Sequence, residues 1–224
     1  MTLIEYQNKD EMMQAIASRI QAELAEALSK TGSATLAVPG GTTPGPIFDA
    51  LSVADIEWAN VAVMLGDERW VPESSERSNT ALLKARLLQN KAAAATLLPL
   101  YAEAPTPEDK LDELSAGIEK HLPLTVCLMG MGADMHTASI FPEADLLAEA
   151  FAPDAPVLLP MRAPGAPEPR ITLSARVLKG AANRHIVIAG DEKRAALERA
   201  QTLDDPMQAP VSAVLPGATV HWAP

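Results

Sequence analysis

The sequence predicts an α/β domain on a mostly parallel open sheet with helices on both faces. Short apolar runs such as Ala34 to Val38, Val61 to Leu65 and Leu124 to Met129 have the length and character of buried strands. Between them lie stretches with apolar residues at helical spacing, and a Gly-rich or charged turn follows each run.

Asp10 to Lys30 carries Met13, Ile16, Ala17, Ile20, Leu24, Ala27 and Leu28 at i, i+3, i+4 spacing, with Asp10 placed to cap the start and Gly32 the end. The strand Ala34 to Val38 leads into the breaker-rich Pro39 to Pro46 and a helical stretch Ile47 to Leu51. Val61 to Leu65 ends in Gly66-Asp67-Glu68-Arg69, and Ser78 to Leu88 reads as a helix capped by Ser78 or Asn79. Thr106-Pro107-Glu108-Asp109 has a cap, a first-turn proline and an acid three after the cap, opening a helix that ends near His121. After the strand Leu124 to Met129 and the turn Gly130 to His136, a short helix is expected at Asp145 to Ala150 and strands at Val157 to Leu159 and Arg170 to Leu173. Ser174 can cap a helix through Leu178. His185 to Ala189 is a strand followed by the helix Asp191 to Ala200, and Val211 to Leu215 and Ala218 to Trp222 close the chain as short apolar segments. No repeat or linker divides residues 1–224, which are expected to form one domain, with Pro153 to Pro169 as a candidate lid.

Of the 224 residues, 48% are apolar and 21% charged, enough for a large core. Eighteen basic against twenty-nine acidic side chains leave a net charge of −11, which argues against nucleic acid or an anionic membrane surface as partner. An anionic small ligand would need a local basic pocket. Cys127 has no disulfide partner and sits in an apolar run, as a core residue would. No apolar run reaches the ~18 residues of a membrane span and no signal segment opens the chain, so the expected location is cytoplasmic.

Four polar clusters, Pro39 to Thr43, Gly66 to Trp70, Gly130 to His136 and Gly190 to Lys193, each follow a strand. In a parallel sheet such ends share one edge, where ligands bind. For any one cluster alone, turn punctuation is the alternative reading. Gly40-Gly41-Thr42-Thr43 between strand and helix offers unobstructed N–H groups, hydroxyls and a helix start, a recipe for phosphate without a dinucleotide or triphosphate fingerprint. Lys193 lies in a first helical turn, unfavourable for a cation unless an anion shares the site, although an exposed lysine is the plainer reading. His136, beside Asp134 in a glycine-rich turn, can serve as a base whose tautomer a carboxylate fixes, or as a hydrogen-bonded structural histidine. Asp67 and Arg69 would share one face of an extended segment with Glu68 on the other, or form a local ion pair. There is no zinc spacing and no G-x-S-x-G elbow, leaving no obvious nucleophile but water.

Pro39-Gly40-Gly41-Thr42-Thr43-Pro44, Gly66-Asp67-Glu68-Arg69-Trp70-Val71-Pro72 with Ser78-Asn79, and Gly130 to Pro142, which includes Met135-His136-Thr137-Ala138-Ser139-Ile140-Phe141, resemble the 6-phosphogluconolactonase family. Arg170 to Leu173 and Gly190 to Lys193 extend the match along nearly the whole chain. The resemblance implies a Rossmann-like fold of the isomerase/deaminase type. It implies hydrolysis of 6-phosphoglucono-1,5-lactone to 6-phosphogluconate in the oxidative pentose phosphate pathway, with no metal or organic cofactor. By matched position, Gly40, Gly41, Thr42, Arg170 and Lys193 would hold phosphate, Asp67 and Arg69 would orient the sugar, and His136, supported by Asp134, would be the base. Partners would be the phosphorylated lactone alone, on a monomer or small homo-oligomer. The related glucosamine-6-phosphate isomerase/deaminase branch usually has Tyr in place of Arg69 and an Ala-Phe-Asn-Glu-Pro type continuation in place of Ala138 to Pro142. An isomerase/deaminase, or a non-catalytic phosphosugar-binding protein, are the alternatives. One departure is Met135, where the pattern normally has Gly; a positive φ there would cost roughly 1–2 kcal/mol.

Overall fold

A strand with no polar alternation is stable only when both its faces are covered. In the computed structural model, which describes residues 1–224, β2 (Ala34–Val38) and β3 (Val61–Leu65) are buried at every position, and β6 (Val126–Gly130) at all but its last. They form the centre of a seven-stranded sheet with β1 (Thr2–Glu5), β5 (Thr96–Leu97), β9 (Asn183–Ala189) and β10 (Thr219–Ala223). The order is β1-β10-β9-β6-β2-β3-β5, and every pairing is parallel. The two-residue edge strand β5 is missing from the sequence expectation, as is the N-terminal edge strand β1. Its four residues carry too short a pattern to read, and pairing with β10, more than 200 residues away, creates the strand.

The helices follow their apolar stripes. α1 (Lys9–Thr31) buries Met12, Met13, Ile16, Ala17, Ile20 and Leu24. Its cap is Asn8 rather than Asp10: the Asn8 side chain accepts the Glu11 N–H at 2.9 Å, and Gly32, at φ 75°, ends the helix. α2 (Gly45–Ser52) and α3 (Asn79–Arg86) follow β2 and the next strand, with Ser78 capping α3 through the Ala81 N–H. Thr106 and Asp109 form the expected capping box, although the first turn, Pro107–Lys110, is 3-10 before α4 (Leu111–Glu119). α5 (Leu147–Phe151), α6 (Ala175–Lys179) and α7 (Asp191–Leu203) complete the set. Ser174 stands at the α6 cap position, but its buried hydroxyl makes no hydrogen bond, so it does not cap as expected. Val211 to Leu215 contains a 3-10 turn, Pro210–Ala213.

A second, antiparallel sheet of order β4-β8-β7 joins Asp67–Arg69 (β4), Arg170–Leu173 (β8) and Leu158–Met161 (β7). Sequence reading ends the Val61 strand in a turn. The chain in fact turns at Gly66 and re-enters a strand, because Gly66 O accepts Leu173 N–H and β8 supplies a ladder. The Pro-rich stretch 153–169 thus contains a strand of this sheet, and its exposed end is tied by Glu168 to Arg77. Cys127 is wholly buried, which pushes its thiol up to about 12. No helix is long and apolar enough to cross a membrane.

One buried polar chain crosses the β1 edge. Tyr6 Oη lies 2.8 Å from His221 Nδ1, His221 Nε2 lies 3.1 Å from His185 Nδ1, and His185 Nε2 lies 2.8 Å from Glu23 Oε2. With both rings neutral, one proton per contact runs from the tyrosine to the carboxylate and every group is satisfied. Burial, aided by His185 and Arg19, pushes His221 down to about 3 from its ordinary 6.5. Between these values the unfolded chain binds a proton that the folded chain does not, so stability is complete above pH 6.5 and falls as pH drops toward 3. Denaturant titrations between pH 7.5 and 4 are expected to lose up to about 1.4 kcal/mol per unit from this group. His221→Asn should show a shallower slope than the parent; parallel slopes would remove His221 as the source.

Candidate active site

Because all seven strands are parallel, their C-terminal ends share one edge, and there the four polar clusters meet. They surround a hollow of about 260 Å³ lined by Gly40, Gly41, Asp67, Arg69, His136, Arg170 and Lys193, among others. A larger cavity, about 650 Å³, opens at the opposite strand edge, where Lys30 is already paired with Glu26.

The loop after β6 is folded on itself. Thr137 Oγ1 donates to Gly130 O at 3.0 Å, Gly132 N–H to His136 O at 3.0 Å and Met135 N–H to Gly132 O at 3.0 Å. Asp134 Oδ1 takes the His136 backbone N–H at 3.2 Å and lies 2.5 Å from ring Nδ1. The contact assigns the proton to Nδ1 and leaves Nε2 without a protein partner. The imidazole N–H, opposed by partial burial, holds the Asp134 carboxyl below the usual carboxylate range. A Cβ on Gly132 would stand 2.2 Å from His136 Nδ1, so only glycine admits this pairing. Phe141 packs on the ring, centroids 4.4 Å apart. Met135 occupies the left-handed region at φ 68°, as its place in a glycine position implies, and Val211 N–H holds its carbonyl at 3.0 Å.

Across the hollow, Gly41 has φ 80°, and a Cβ on Gly40 would collide with the Asn79 side chain, so both glycines are required by the turn between β2 and α2. Thr43 rather than Thr42 lines the hollow; Thr42 is exposed, and its carbonyl accepts the Gly45 N–H. Asp67 and Arg69 share the face toward the hollow, and Glu68 turns away. The wholly buried Glu68 carboxylate accepts from the backbone N–H groups of Arg69, Asn79 and Thr80 and from the hydroxyls of Ser78 and Thr80. The local ion pair left open by the sequence does not form: Arg69 donates instead to Arg77 O at 2.6 Å.

Arg69 and Arg170 are direct cross-strand partners. Like charges so placed repel, and the buried Nε of each guanidinium has no hydrogen-bond partner. Burial pulls the Arg170 pKa down, with Asp67 opposing and Arg69 adding to the fall. Lys193 also lines the hollow without a carboxylate in ion-pair contact. Such a cluster, in a chain of net charge −11, has the charge and the free donors to attract an anion.

The family described as glucosamine-6-phosphate isomerases/6-phosphogluconolactonase matches residues 7–222. The chain belongs to this family. It is 43% identical to a 6-phosphogluconolactonase of Mesorhizobium japonicum, over 98% of this chain and 94% of the relative. Against the 6-phosphogluconolactonase of Pseudomonas aeruginosa the identity is 38%, over 96% and 91%. A crystal structure of a 6-phosphogluconolactonase from Shewanella baltica superposes with a TM-score of 0.96 at 32% identity, covering 100% of this chain and 97% of that one. A monomeric glucosamine-6-phosphate deaminase shares the fold, with a TM-score of 0.76 at 16% identity.

The sequence-predicted residues converge on this one hollow apart from Thr42 and Asp134, the latter standing behind His136. Asn79 and Phe141 line it too but were not singled out as site residues. Both stand in the motifs that carry the resemblance, Asn79 also beside the Ser78 cap, but no local chemistry of the sequence marks either as part of a site. Substitution at Met135 tests the strained loop. Met135→Gly relieves about 1 kcal/mol of left-handed strain and loses some packing, so its melting temperature should stay near that of the parent. Met135→Val, β-branched at positive φ, should melt several degrees lower; equal midpoints would show that the loop relaxes.

Proposed function

We propose that this protein hydrolyses 6-phosphoglucono-1,5-lactone to 6-phosphogluconate, a step of the oxidative pentose phosphate pathway; the reading is supported by relatives named 6-phosphogluconolactonase. The observation that carries the reading is one juxtaposition: an imidazole tied at Nδ1 by Asp134 borders the same small hollow as Gly40, Gly41, Arg170 and Lys193. The phosphate would rest on the glycine turn with Arg170 and Lys193 as its counter-charges. Asp67 would accept a sugar hydroxyl. A water between His136 Nε2 and the lactone carbonyl carbon would attack as the imidazole takes its proton, with Asp134 stabilising the imidazolium. Arg69 would stabilise the oxyanion of the tetrahedral intermediate. As the ring C–O bond breaks, the imidazolium returns its proton to the leaving ring oxygen, and the product acid ionises in water. Each atom is supplied by lactone and one water, so the chemistry calls on no group outside the chain.

One contiguous apolar core supports a single domain over residues 1–224. The acidic net charge disfavours nucleic acid as a partner, and a phosphorylated substrate that does not cross membranes unaided favours the cytoplasm.

The test is hydrolysis of freshly generated lactone, corrected for spontaneous opening. The parent should accelerate it, and His136→Ala should lose at least about a hundredfold, within the range of general-base contributions. An unchanged rate would remove His136 as base, and ammonia release from glucosamine-6-phosphate in its place would mark a deaminase. Arg170→Met is expected to raise KM about tenfold or more, with kcat changed far less, as for a lost bond to a charged group. A fall confined to kcat would separate Arg170 from phosphate binding.

A further inference from the structure

Asp67 lines the hollow and is 8% exposed, yet no lysine or arginine forms an ion pair with it. Its side chain is held by a hydroxyl: Ser139 Oγ donates to Oδ2 at 2.5 Å. Ser139 is completely buried and is itself fixed from two sides. It lies in a tight turn in which Ile140 N–H meets Thr137 O at 3.0 Å and Ala138 takes φ 49°. Its own N–H meets Thr172 Oγ1 at 3.3 Å, and Thr172 is the cross-strand partner of Asp67. Asp67 therefore has one oxygen committed to Ser139, while Oδ1 makes no bond within the protein.

Resting on the lactonase reading, we infer that Ser139 is the positioning residue that sets the Asp67 rotamer and leaves one carboxylate oxygen free to accept a substrate hydroxyl. Ionised carboxylates only accept, so the group recognised is a hydroxyl donor of the sugar ring. Ser139 also follows His136 by three residues in one self-bonded loop. That loop then carries both the base and the orienter of the carboxylate opposite, so the two move together.

A double-mutant cycle tests this on lactone hydrolysis, with melting temperatures as a check on folding. Ser139→Ala should lower kcat/KM about tenfold, chiefly through KM, and Ser139→Cys, a weaker donor, should fall between it and the parent. In the Asp67→Ala background, Ser139→Ala should change kcat/KM less than about twofold, because the group it positions is gone. An equal loss in both backgrounds would overturn the assignment, as would Ser139→Ala with parental kinetics. If Ser139→Ala does not fold, parental kinetics in Ser139→Cys overturn it and an intermediate value upholds it. A parent chain that fails to accelerate lactone opening removes the functional reading and this role with it; a normal parent beside an unaffected Ser139→Ala removes this role alone.

Discussion

The parallel direction of all seven main strands is the constraint on which the site depends. Parallel pairing requires a crossover between neighbours, so each strand's C-terminal end launches a loop from the same edge. Four such loops, far apart in sequence, then face one another around the hollow. The antiparallel β4-β8 pair adds to this edge. Its register sets Arg69 opposite Arg170 and Asp67 opposite Thr172, and so determines which charges confront each other.

Among the buried ionisable groups, satisfied and unsatisfied members divide by role. The Glu68 carboxylate accepts five donors, and the Tyr6, His221, His185 and Glu23 chain passes one proton per contact. Both are complete within the protein and act as structure. Arg69 and Arg170 are the opposite case, since neither buried Nε is bonded. A buried donor without a partner costs about 1–3 kcal/mol, which the extensive apolar core offsets, and it leaves both guanidinium groups available to the phosphate and the oxyanion proposed above.

Strain is concentrated beside the imidazole. Met135 and Ala138 both have positive φ within four residues, and neither is glycine. Bonds on both sides hold the loop there: Met135 O to the chain before β10, and Ser139 N–H to β8. A loop held in an uncommon conformation from two directions has little freedom, which suits side chains that must meet a substrate in one geometry.

The sequence by itself determined the central strands β2, β3, β6 and β9, the long amphipathic helix and the polar clusters at strand ends, because hydrophobic period and turn chemistry are local properties. Gly40, Gly41 and His136 were legible as chemistry for the same reason, whereas Asp67, Arg69 and Arg170 took their roles from the resemblance. Only the tertiary structure decided the rest. Strand β1 exists through β10, β4 through β8, and Asn8 displaces Asp10 as cap by a local geometry that composition leaves open. The Ser139 to Asp67 bond and the opposed arginines join residues 72 and 101 positions apart, and no period in a linear chain encodes such distances. They arise when the crossovers close, since packing and register, rather than local preference, bring those atoms together.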